Sequence, residues 1–407
     1  MSFKFIHPWL TIMILAMTCP PAIVAQAEET LKPVPVFTAG TDNYQLYRIP
    51  GIIVTPRGSV LAYCEARRHN GGDWDAIDLM LRRSTDGGLT WAPQNKVGQL
   101  SGPVARNPLN RDAQKHPDWI TYNNIVAIPD QQTGQIHVIF CVEYQQCYWM
   151  VSQDDGVTFS TPMEITSAFA KFRPAYDWKV IATGPGHGIQ LRNGRLLIPV
   201  WLSTTSSKSA HHPSVTATIF SDDHGKTWQA GEIAVPDTEE FDDPNETVAV
   251  ELADGRVMLN VRSISQTRRR IAVFSKDGAT GWSKPEFIQD LPEPICMAST
   301  VRYSKTPESD HNRLLFSNPD SSRMKRENLT LKLSEDEGHT WPISRVIDSG
   351  PSGYSDLAVL PDGTILCLYE RGAVKMNAQT LPASIVVARL SLNWLTAGKS
   401  SPATEKN

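Results

Sequence analysis

Three arginines stand in stretches that otherwise resemble strands of a hydrophobic core. Arg48 lies in the tetrapeptide YRIP, Arg262 ends the run MLNVR, and Arg326 leads into the run ENLT. A single arginine in such a place usually reaches solvent or pairs with a carboxylate. Three guanidinium groups gathered at one point repel one another unless an anion lies between them, and the guanidinium fork binds a carboxylate through two hydrogen bonds. The set therefore predicts a ligand that bears a carboxylate.

Two acids and a tyrosine complete this candidate site. Asp73 lies in the glycine-containing loop GGDWD, where loss of solvent could raise the pKa of a carboxyl group toward that of a general acid. Glu246 enters an apolar strand, and Tyr354 lies in the small-residue turn SGYSD. A phenol is a weak nucleophile at neutral pH, but a neighbouring carboxylate acting as a base would activate it. The three residues predict acid, base and nucleophile chemistry at one site.

A repeated octet indicates the scaffold that positions these residues. The pattern S-x-D-x-G-x-T-W occurs at 84–91, 221–228 and 334–341, a copy ending in Phe occurs at 152–159, and a degenerate copy spans 275–282. Serine and aspartate side chains can hydrogen-bond the local backbone, glycine permits the tight turn, and the final aromatic residue anchors it to the hydrophobic layer. We interpret each octet, an Asp-box, as a structural hairpin turn.

The spacing of the octets predicts the architecture. Successive copies begin about 60 residues apart, and short apolar runs with Asn-Gly or Asp-Gly turns surround them. Many short strands with such a period are typical of antiparallel blades arranged around an axis. We predict an all-β fold, a six-bladed β-propeller over residues 28–398 with little helix, and a C-terminal tail at 399–407. A pair of β-sandwiches is the alternative.

Composition narrows the class of partner. The chain has 407 residues, 20% of them charged, and a formal net charge of −4. No broad basic face is evident, so nucleic acid is not an expected partner. No CxxC pair or HExxH motif occurs, and the pair His211-His212 is interpreted as polar surface rather than as a metal site. We expect no metal and no organic cofactor.

The first 27 residues are typical of a signal peptide. Lys4 precedes a short apolar run, Trp9 to Met17, and Ala25-Gln26-Ala27 forms a small-residue cleavage site. We therefore expect a secreted or periplasmic protein with no stable membrane insertion, and an uncleaved anchor is the alternative. The other cysteines, which we expect mostly to be buried apolar residues with a possible Cys141–Cys147 pair, are Cys64, Cys141, Cys147, Cys296 and Cys367.

Taken together, these motifs resemble the exo-α-sialidase (neuraminidase) family of bacteria and animals. The resemblance runs from about Val36 to Trp394, and an Asp-box alone would not carry it, since that repeat occurs in unrelated propellers. It rests on motifs in the family's order: YRIP, Glu65-x-Arg67 followed by Asp73, the Asp-box (BNR) repeats, Asn245-Glu246, Arg262, Arg326 and the GYSD run at Tyr354.

The resemblance implies a role for each of these residues. Arg48, Arg262 and Arg326 would hold the carboxylate of a sialic acid. Tyr354 would be the nucleophile, and Glu246 its base. Asp73 would protonate the leaving oxygen as an acid and later activate water as a base. Arg67 would be a further sugar contact, and Glu370 and Glu65 would orient arginines.

The implied activity is retaining hydrolysis of terminal α-linked sialic acids from glycans, glycoproteins or glycolipids. Alternatives are a glycosidase or transferase of the same fold acting on another ulosonic acid, such as deaminated neuraminic acid, and a non-catalytic carbohydrate-binding propeller. Asp75 is an alternative acid to Asp73. Residues 119–124 and 141–144 do not match the family segments expected around the N-acyl group, so the form of sialic acid recognised is open.

Overall fold

The computed structural model of the chain describes residues 1–2, 32–206, 209–321, 325–376 and 379–397. Contacts divide the chain into Met1–Thr30 and Leu31–Asn407, and the strands and helices of the described residues belong to the second unit. The predicted signal peptide at 1–27, apart from residues 1 and 2, and the predicted tail at 399–407 lie outside the described residues. Both remain predictions.

The described chain is almost entirely β-structure. Two short α-helices, α1 (Arg111–Lys115) and α2 (Leu392–Ala397), and one 3₁₀ helix (Thr166–Phe172) are the helical elements of the described residues. The expectation of little helix is confirmed. In chain order the strands are β1 (Val34–Thr38), β2 (Leu46–Val54), β3 (Val60–Arg67), β4 (Ile77–Ser84), β5 (Asn95–Val97), β6 (Tyr122–Pro129), β7 (Ile136–Val142), β8 (Gln146–Ser152), β9 (Met163–Glu164), β10 (Val180–Thr183), β11 (Gly186–His187), β12 (Ile189–Gln190), β13 (Leu196–Ser203), β14 (Ser214–Ser221), β15 (Gln229–Val235), β16 (Thr247–Glu251), β17 (Val257–Val261), β18 (Arg269–Ser275), β19 (Glu286–Pro292), β20 (Ser299–Ser304), β21 (Arg313–Pro319), β22 (Glu327–Ser334), β23 (Ile343–Val359), β24 (Ile365–Arg371), β25 (Val374–Met376), β26 (Gln379–Leu381) and β27 (Ser384–Leu390).

Consecutive strands pair as antiparallel meanders. The orders are β2-β3-β4-β5, β11-β6-β7-β8-β9, β10-β13-β14-β15 with β12 beside β13, β16-β17-β18-β19, and a seven-stranded sheet β1-β27-β24-β23-β22-β21-β20; β25 and β26 form a separate hairpin. Only β11 runs parallel to its partner, β6, among these pairs of the described residues. This is an all-β fold with a propeller-like arrangement of sheets.

The seven-stranded sheet results from one long strand. The first half of β23 pairs with β22 and its second half with β24, so this 17-residue strand belongs to two meanders. At the far edge β1 pairs with β27, which joins the beginning of the unit to its end. The number of blades, six, stays a prediction because strand pairing alone runs the last two meanders together.

The hydrophobic core lies in layers between neighbouring sheets. One cluster joins Ile52 and Cys64 of the first meander to Leu368 and Val387 of the last one. Another joins the first meander to the second, with Tyr63 and Phe140 both fully buried. Because each sheet buries both faces against its neighbours, alternation of apolar and polar residues is weak in the inner strands, and charged residues there need specific partners.

The Asp-box octets form the tight turns expected of them. In the first copy Asp86 accepts hydrogen bonds from the backbone N–H of Thr90 at 2.9 Å and from its hydroxyl at 2.5 Å. Ser84 accepts the N–H of Gly88 at 2.8 Å. The same bonds recur around Asp154, Asp223 and Asp336. The octets are structural turns of the sheets.

The five described cysteines are buried free thiols, as predicted for most of them. Cys141 and Cys147 lie opposite each other in β7 and β8 without a disulfide. None of the helices in the described part of the chain has the length and apolar character needed to span a membrane.

Candidate functional site

A cavity of about 180 Å³ lies near the starts of β2, β6 and β16. Six residues that the sequence singled out for chemistry line it: Arg48, Asp73, Glu246, Arg262, Arg326 and Tyr354. The structure therefore brings together side chains that are up to about 300 residues apart in the chain. Their chemical roles stay predictions.

The three arginines converge on Tyr354. The guanidinium carbon of Arg48 lies 5.1 Å from the centre of the phenol ring, and that of Arg326 lies 5.2 Å from it. Arg262 donates a hydrogen bond from Nη1 to the Tyr354 hydroxyl at 2.9 Å. Two of these cations have a carboxylate partner, Arg48 in Glu370 and Arg262 in Glu246. One positive charge remains in excess among these groups, which an anionic ligand would neutralise.

Glu370 holds Arg48 in place. Its two carboxylate oxygens accept hydrogen bonds from Nε and Nη2 of Arg48 at 3.0 and 3.3 Å. They also accept the backbone N–H groups of Ile49 and Tyr354, each at 3.1 Å. Ile49 has a φ of 59° at an irregularity in the pairing of β2 with β3, so this carboxylate supports a strained turn. A Cβ on Gly353 would lie 2.2 Å from Glu370, which explains a glycine there.

Tyr354 and Glu246 form a hydrogen-bonded pair. The Tyr354 hydroxyl donates a hydrogen bond to Glu246 Oε1 at 2.5 Å, and Arg262 pairs with the other carboxylate oxygen. Burial raises the pKa of the Tyr354 phenol well above its usual value, the Glu246 carboxylate adds to the rise, and the three guanidinium groups oppose it. The phenol is therefore neutral near pH 7, and Glu246 is placed to take its proton.

Asp73 is paired with a cation at the edge of the cavity. Its carboxylate lies 2.9 Å from Nη1 of Arg67, and about half of its side chain, 47%, is exposed. Partial burial acts to raise the pKa of Asp73, but Arg67, with smaller contributions from His211 and Arg48, outweighs it and holds the pKa well below its usual range. The expectation of a raised pKa is therefore wrong for the free protein, because a guanidinium contacts the carboxylate and its effect exceeds that of burial.

Asp75 has a different environment from Asp73. It is fully buried, and its Oδ2 accepts the backbone N–H groups of His69, Asn70 and Gly71 at 2.9, 2.8 and 2.9 Å. Its other oxygen accepts the N–H of Ala76. Its carboxylate is thus occupied by four backbone groups of its own loop, and Asp75 does not line the cavity. The geometry favours Asp73 over Asp75 as the residue that meets a ligand.

Arg67 and Glu65 lie beneath the cavity instead of lining it. Arg67 is 1% exposed and pairs with Glu65 at 2.7 Å, while it also donates to the carbonyl of Gly71 at 2.8 Å. The second carboxylate oxygen of Glu65 accepts the N–H of Asn124 at 2.9 Å. Arg67 thus contacts Asp73 and the loop that carries it, and Glu65 orients Arg67, not one of the three converging arginines.

Several cavity residues were missed from the sequence. The interpretation as polar surface is wrong for His211, which packs between aromatic rings, 4.6 Å from Tyr144 and 5.5 Å from Trp201 by ring centres, whereas the His212 side chain is 42% exposed. Burial lowers the pKa of His211, so its ring is neutral near pH 7. Asn124 also lines the cavity. Asn124 and Tyr144 thus come from the segments 119–124 and 141–144, which matched no expected pattern. The histidines were missed because the sequence of a loop does not indicate which side chains its residues will pack against.

A buried ion pair supports Arg326. The Nη2 of Arg326 donates to the carbonyl of Ile295 at 2.5 Å, and Ile295 has a φ of 57°. Glu293 accepts the N–H of Cys296 at 2.8 Å and pairs with Arg270 at 2.6 Å, and Arg270 also donates to the Cys296 carbonyl at 3.2 Å. Both charged groups are buried, so the pair fixes the turn that carries the Ile295 carbonyl.

Replacing Arg270 with lysine should therefore disturb ligand binding at a distance. Lysine keeps the charge opposite Glu293 but lacks the fork that reaches the Cys296 carbonyl and Asn260. We expect the KM for a carboxylate-bearing substrate to rise roughly tenfold, with a smaller change in kcat, because Arg326 would be displaced rather than removed. Steady-state kinetics on the purified variant measures the changes in KM and kcat separately.

The matched control is Arg302→Lys. Arg302 pairs with Glu337 at 2.6 Å, is partly buried, and is not among the residues lining the cavity. It should lower the melting temperature without moving KM. An Arg270→Lys variant that loses thermal stability while its KM stays at the wild-type value would show that the ion pair has no part in positioning Arg326.

Within the described residues, no group of three or more histidine, cysteine, aspartate or glutamate side chains is arranged to hold a metal ion.

Comparisons with known proteins agree with this arrangement. Residues 111–367 match the family model described as BNR repeat-like domain. A sialidase of Micromonospora viridifaciens is 32% identical over 370 residues, 88% of this chain and 53% of that protein. A sialidase of Bacteroides fragilis (strain YCH46) is 30% identical, over 86% of this chain and 64% of that protein. The chain thus spans about half to two thirds of the length of these relatives.

A solved structure has the same fold. The Hadza microbial sialidase Hz136 superposes with a TM-score of 0.71 at 27% identity, over 89% of this chain and 69% of that one. The family model covers more than half of the chain. The chain belongs to the BNR repeat-like, sialidase (neuraminidase) family.

Proposed function

We propose that this protein is a retaining exo-α-sialidase that releases terminal α-linked sialic acid from glycoconjugates. The observation that carries the proposal is the hydroxyl of Tyr354, which is hydrogen-bonded to Glu246 and Arg262 within a cavity lined by three arginines. A sugar that bears a carboxylate at its reacting carbon suits such a cavity. A neutral phenol approaches that carbon without the repulsion that a carboxylate nucleophile would meet. The names of the curated relatives support the same substrate class.

In the first step the Tyr354 oxygen attacks the anomeric carbon while the bond to the leaving oxygen breaks. Glu246 accepts the phenol proton through the 2.5 Å hydrogen bond, and Asp73 gives its proton to the leaving oxygen. Arg262 contacts both the phenol and Glu246, so it also favours the developing negative charge on the tyrosine oxygen. The product is a sialyl-tyrosine intermediate and a released alcohol.

In the second step water replaces the tyrosine. Asp73, now ionised, takes a proton from water, and the resulting hydroxide oxygen bonds to the anomeric carbon. The bond from that carbon to Tyr354 breaks, and the phenol recovers its proton from Glu246. Two inversions retain the α configuration. The proposed steps use no metal and no organic cofactor.

The finer structural and cellular assignments belong to the same proposal. If β23 is divided between the two meanders that it joins, six meanders result, which supports a six-bladed propeller with the cavity at one end of its axis. The segment 1–27 would direct the chain to the periplasm or outside the cell. Its partners would be sialylated glycans, glycoproteins or glycolipids.

Incubation of the purified protein with an aryl α-sialoside and with its deaminated analogue tests the activity. We expect release of the aryl alcohol from the first substrate, and nuclear magnetic resonance of the fresh product should show the α anomer before mutarotation. Release from the deaminated compound alone would assign the protein to another ulosonic acid. Transfer to an added acceptor in place of water would identify a transferase, and no release of either aryl alcohol at any pH would reject the enzyme and leave a carbohydrate-binding propeller.

A further inference from the structure

A second cavity, of about 610 Å³, lies beside the candidate active site. The helix α1 forms one side of it, and the segments around Trp74 and Ala210 form another. Its lining includes Trp74, Leu109, Arg111, Asp112, Lys115 and Ala210. None of the residues predicted for catalysis lines it, so the proposed chemistry leaves its purpose unexplained.

The two cavities share a wall. Asp73 lines the site and the next residue, Trp74, lines the second cavity; His211 lines the site and the preceding residue, Ala210, lines the second cavity. The Trp74 ring stacks on His211 at 5.6 Å and contacts Tyr144 at 4.8 Å by ring centres. The Trp74 ring therefore lies beside the part of the site that Asp73 lines.

The proposed reaction places the leaving group at this wall, and the inference rests on that function. A general acid must lie about 3 Å from the oxygen that it protonates. The leaving oxygen is then next to Asp73, and the remainder of the leaving group extends from there over Trp74. An indole beside hydroxyl, amide and charged side chains suits a sugar ring, which has apolar C–H faces and polar edges.

The charges of the lining indicate which sugar. Arg111 and Lys115 lie four residues apart on α1, so they are on the same side of the helix, and both are exposed. Asp112, the carboxylate among the described lining residues, accepts a hydrogen bond from Asn70 at 3.1 Å. Two cations and one anion leave one positive charge in excess at the place where the leaving group would lie.

We propose that this cavity binds the leaving-group sugar and favours one that carries a carboxylate, such as the inner residue of an α2,8-linked pair of sialic acids. Arg111 and Lys115 contact that carboxylate, and Trp74 contacts the ring. The preference is electrostatic and exposed, so it is moderate in size and weakens as salt is added.

The double variant Arg111→Gln/Lys115→Gln tests the subsite. The two substrates are α2,8-disialyllactose, whose leaving group bears a carboxylate, and 3′-sialyllactose, whose leaving group is neutral. We expect the ratio of their kcat/KM values to fall about fivefold in the variant relative to the wild type. Lys276→Gln/Lys284→Gln, which removes two exposed lysines from another sheet edge, should leave the ratio at its wild-type value. An equal loss on both substrates, or no loss, would overturn the proposal.

Binding measured without turnover separates this inference from the proposed activity. Calorimetric titration of disialyllactose into Tyr354→Phe, with and without the two glutamine substitutions, should give dissociation constants that differ about fivefold, and sialyllactose should show no such difference. Identical dissociation constants for disialyllactose would reject the subsite even if the protein hydrolyses sialosides. A failure of the wild type to hydrolyse an aryl sialoside, with the fivefold binding difference intact, would reject only the proposed function.

Discussion

Replacing Tyr354 with phenylalanine should reduce kcat/KM toward a sialoside by roughly 10⁴-fold or more while the fold is retained. The substitution removes one oxygen, and that oxygen makes the 2.5 Å hydrogen bond to Glu246 and accepts the 2.9 Å bond from Arg262. The ring itself stays available for packing beside Arg48 and Arg326. We therefore expect loss of the covalent step with little loss of binding. Steady-state kinetics and mass spectrometry of the trapped enzyme measure both.

A fluorinated sialosyl fluoride should add one sugar mass to the wild type and none to Tyr354→Phe, because only the phenol oxygen can bond to the anomeric carbon. The control is Tyr303→Phe, which removes a hydroxyl that donates to the Gly363 carbonyl at 3.2 Å, in a residue that does not line the cavity. It should keep wild-type kinetics. Turnover by Tyr354→Phe close to the wild-type rate would eliminate Tyr354 as the nucleophile.

Replacing Asp73 with alanine should separate substrates by the quality of their leaving group. A general acid contributes roughly 10²- to 10⁴-fold, and it contributes most when the leaving oxygen is strongly basic. We expect kcat/KM for a natural sialoside to fall by about that factor, and for an aryl sialoside with an acidic phenol to fall much less. The control Asp222→Ala removes a carboxylate that is equally exposed, 49%, and likewise paired with an arginine, Arg195. It should change neither substrate.

The pH profile gives a second measure of the same residue. Arg67 holds the pKa of Asp73 well below its usual range in the free protein. Since the acid acts in its protonated form, the active fraction grows as pH falls, and kcat/KM for a natural sialoside should rise toward low pH. The profile of Asp73→Ala should lose that slope. An Asp73→Ala variant that affects natural and aryl substrates equally, with an unchanged profile, would exclude Asp73 as the acid.

Local features of the fold were predictable because they depend on short-range chemistry. The octets around Asp86, Asp154, Asp223 and Asp336 fold their own turns through side chain to backbone bonds, and they do so wherever they occur in the chain. The apolar runs between them are strands as expected. The number of blades cannot be counted from strand pairing, because β23 pairs with strands of two meanders and joins them into one seven-stranded sheet.

Electrostatic details of the site were not predictable from residue types. A loop aspartate beside glycines and a tryptophan suggested a raised pKa, yet Asp73 has a lowered one because Arg67 contacts it. Arg67, predicted as a further sugar contact, is buried against Glu65 and Asp73 in the free protein, and its contact with a sugar stays a prediction. His211 was missed because its environment consists of rings from other segments. The pKa of Asp73, the burial of Arg67 and the packing of His211 each depend on which groups lie within a few ångströms in the folded protein.

The amino-acid sequence by itself determined the repeat, the all-β class and the set of unusual residues. Patterns of turns, and of charges inside strands, involve only residues that are close together in the chain. It singled out Arg48, Arg262 and Arg326 but contained no information on distance. Only the tertiary structure decided that these three surround Tyr354, that Glu370 aims Arg48, and that Asp73 rather than Asp75 reaches the cavity. The physical reason is that several strands begin around one cavity, so residues remote in sequence become neighbours there. The pKa of each titratable side chain then depends on those neighbours as well as on its residue type.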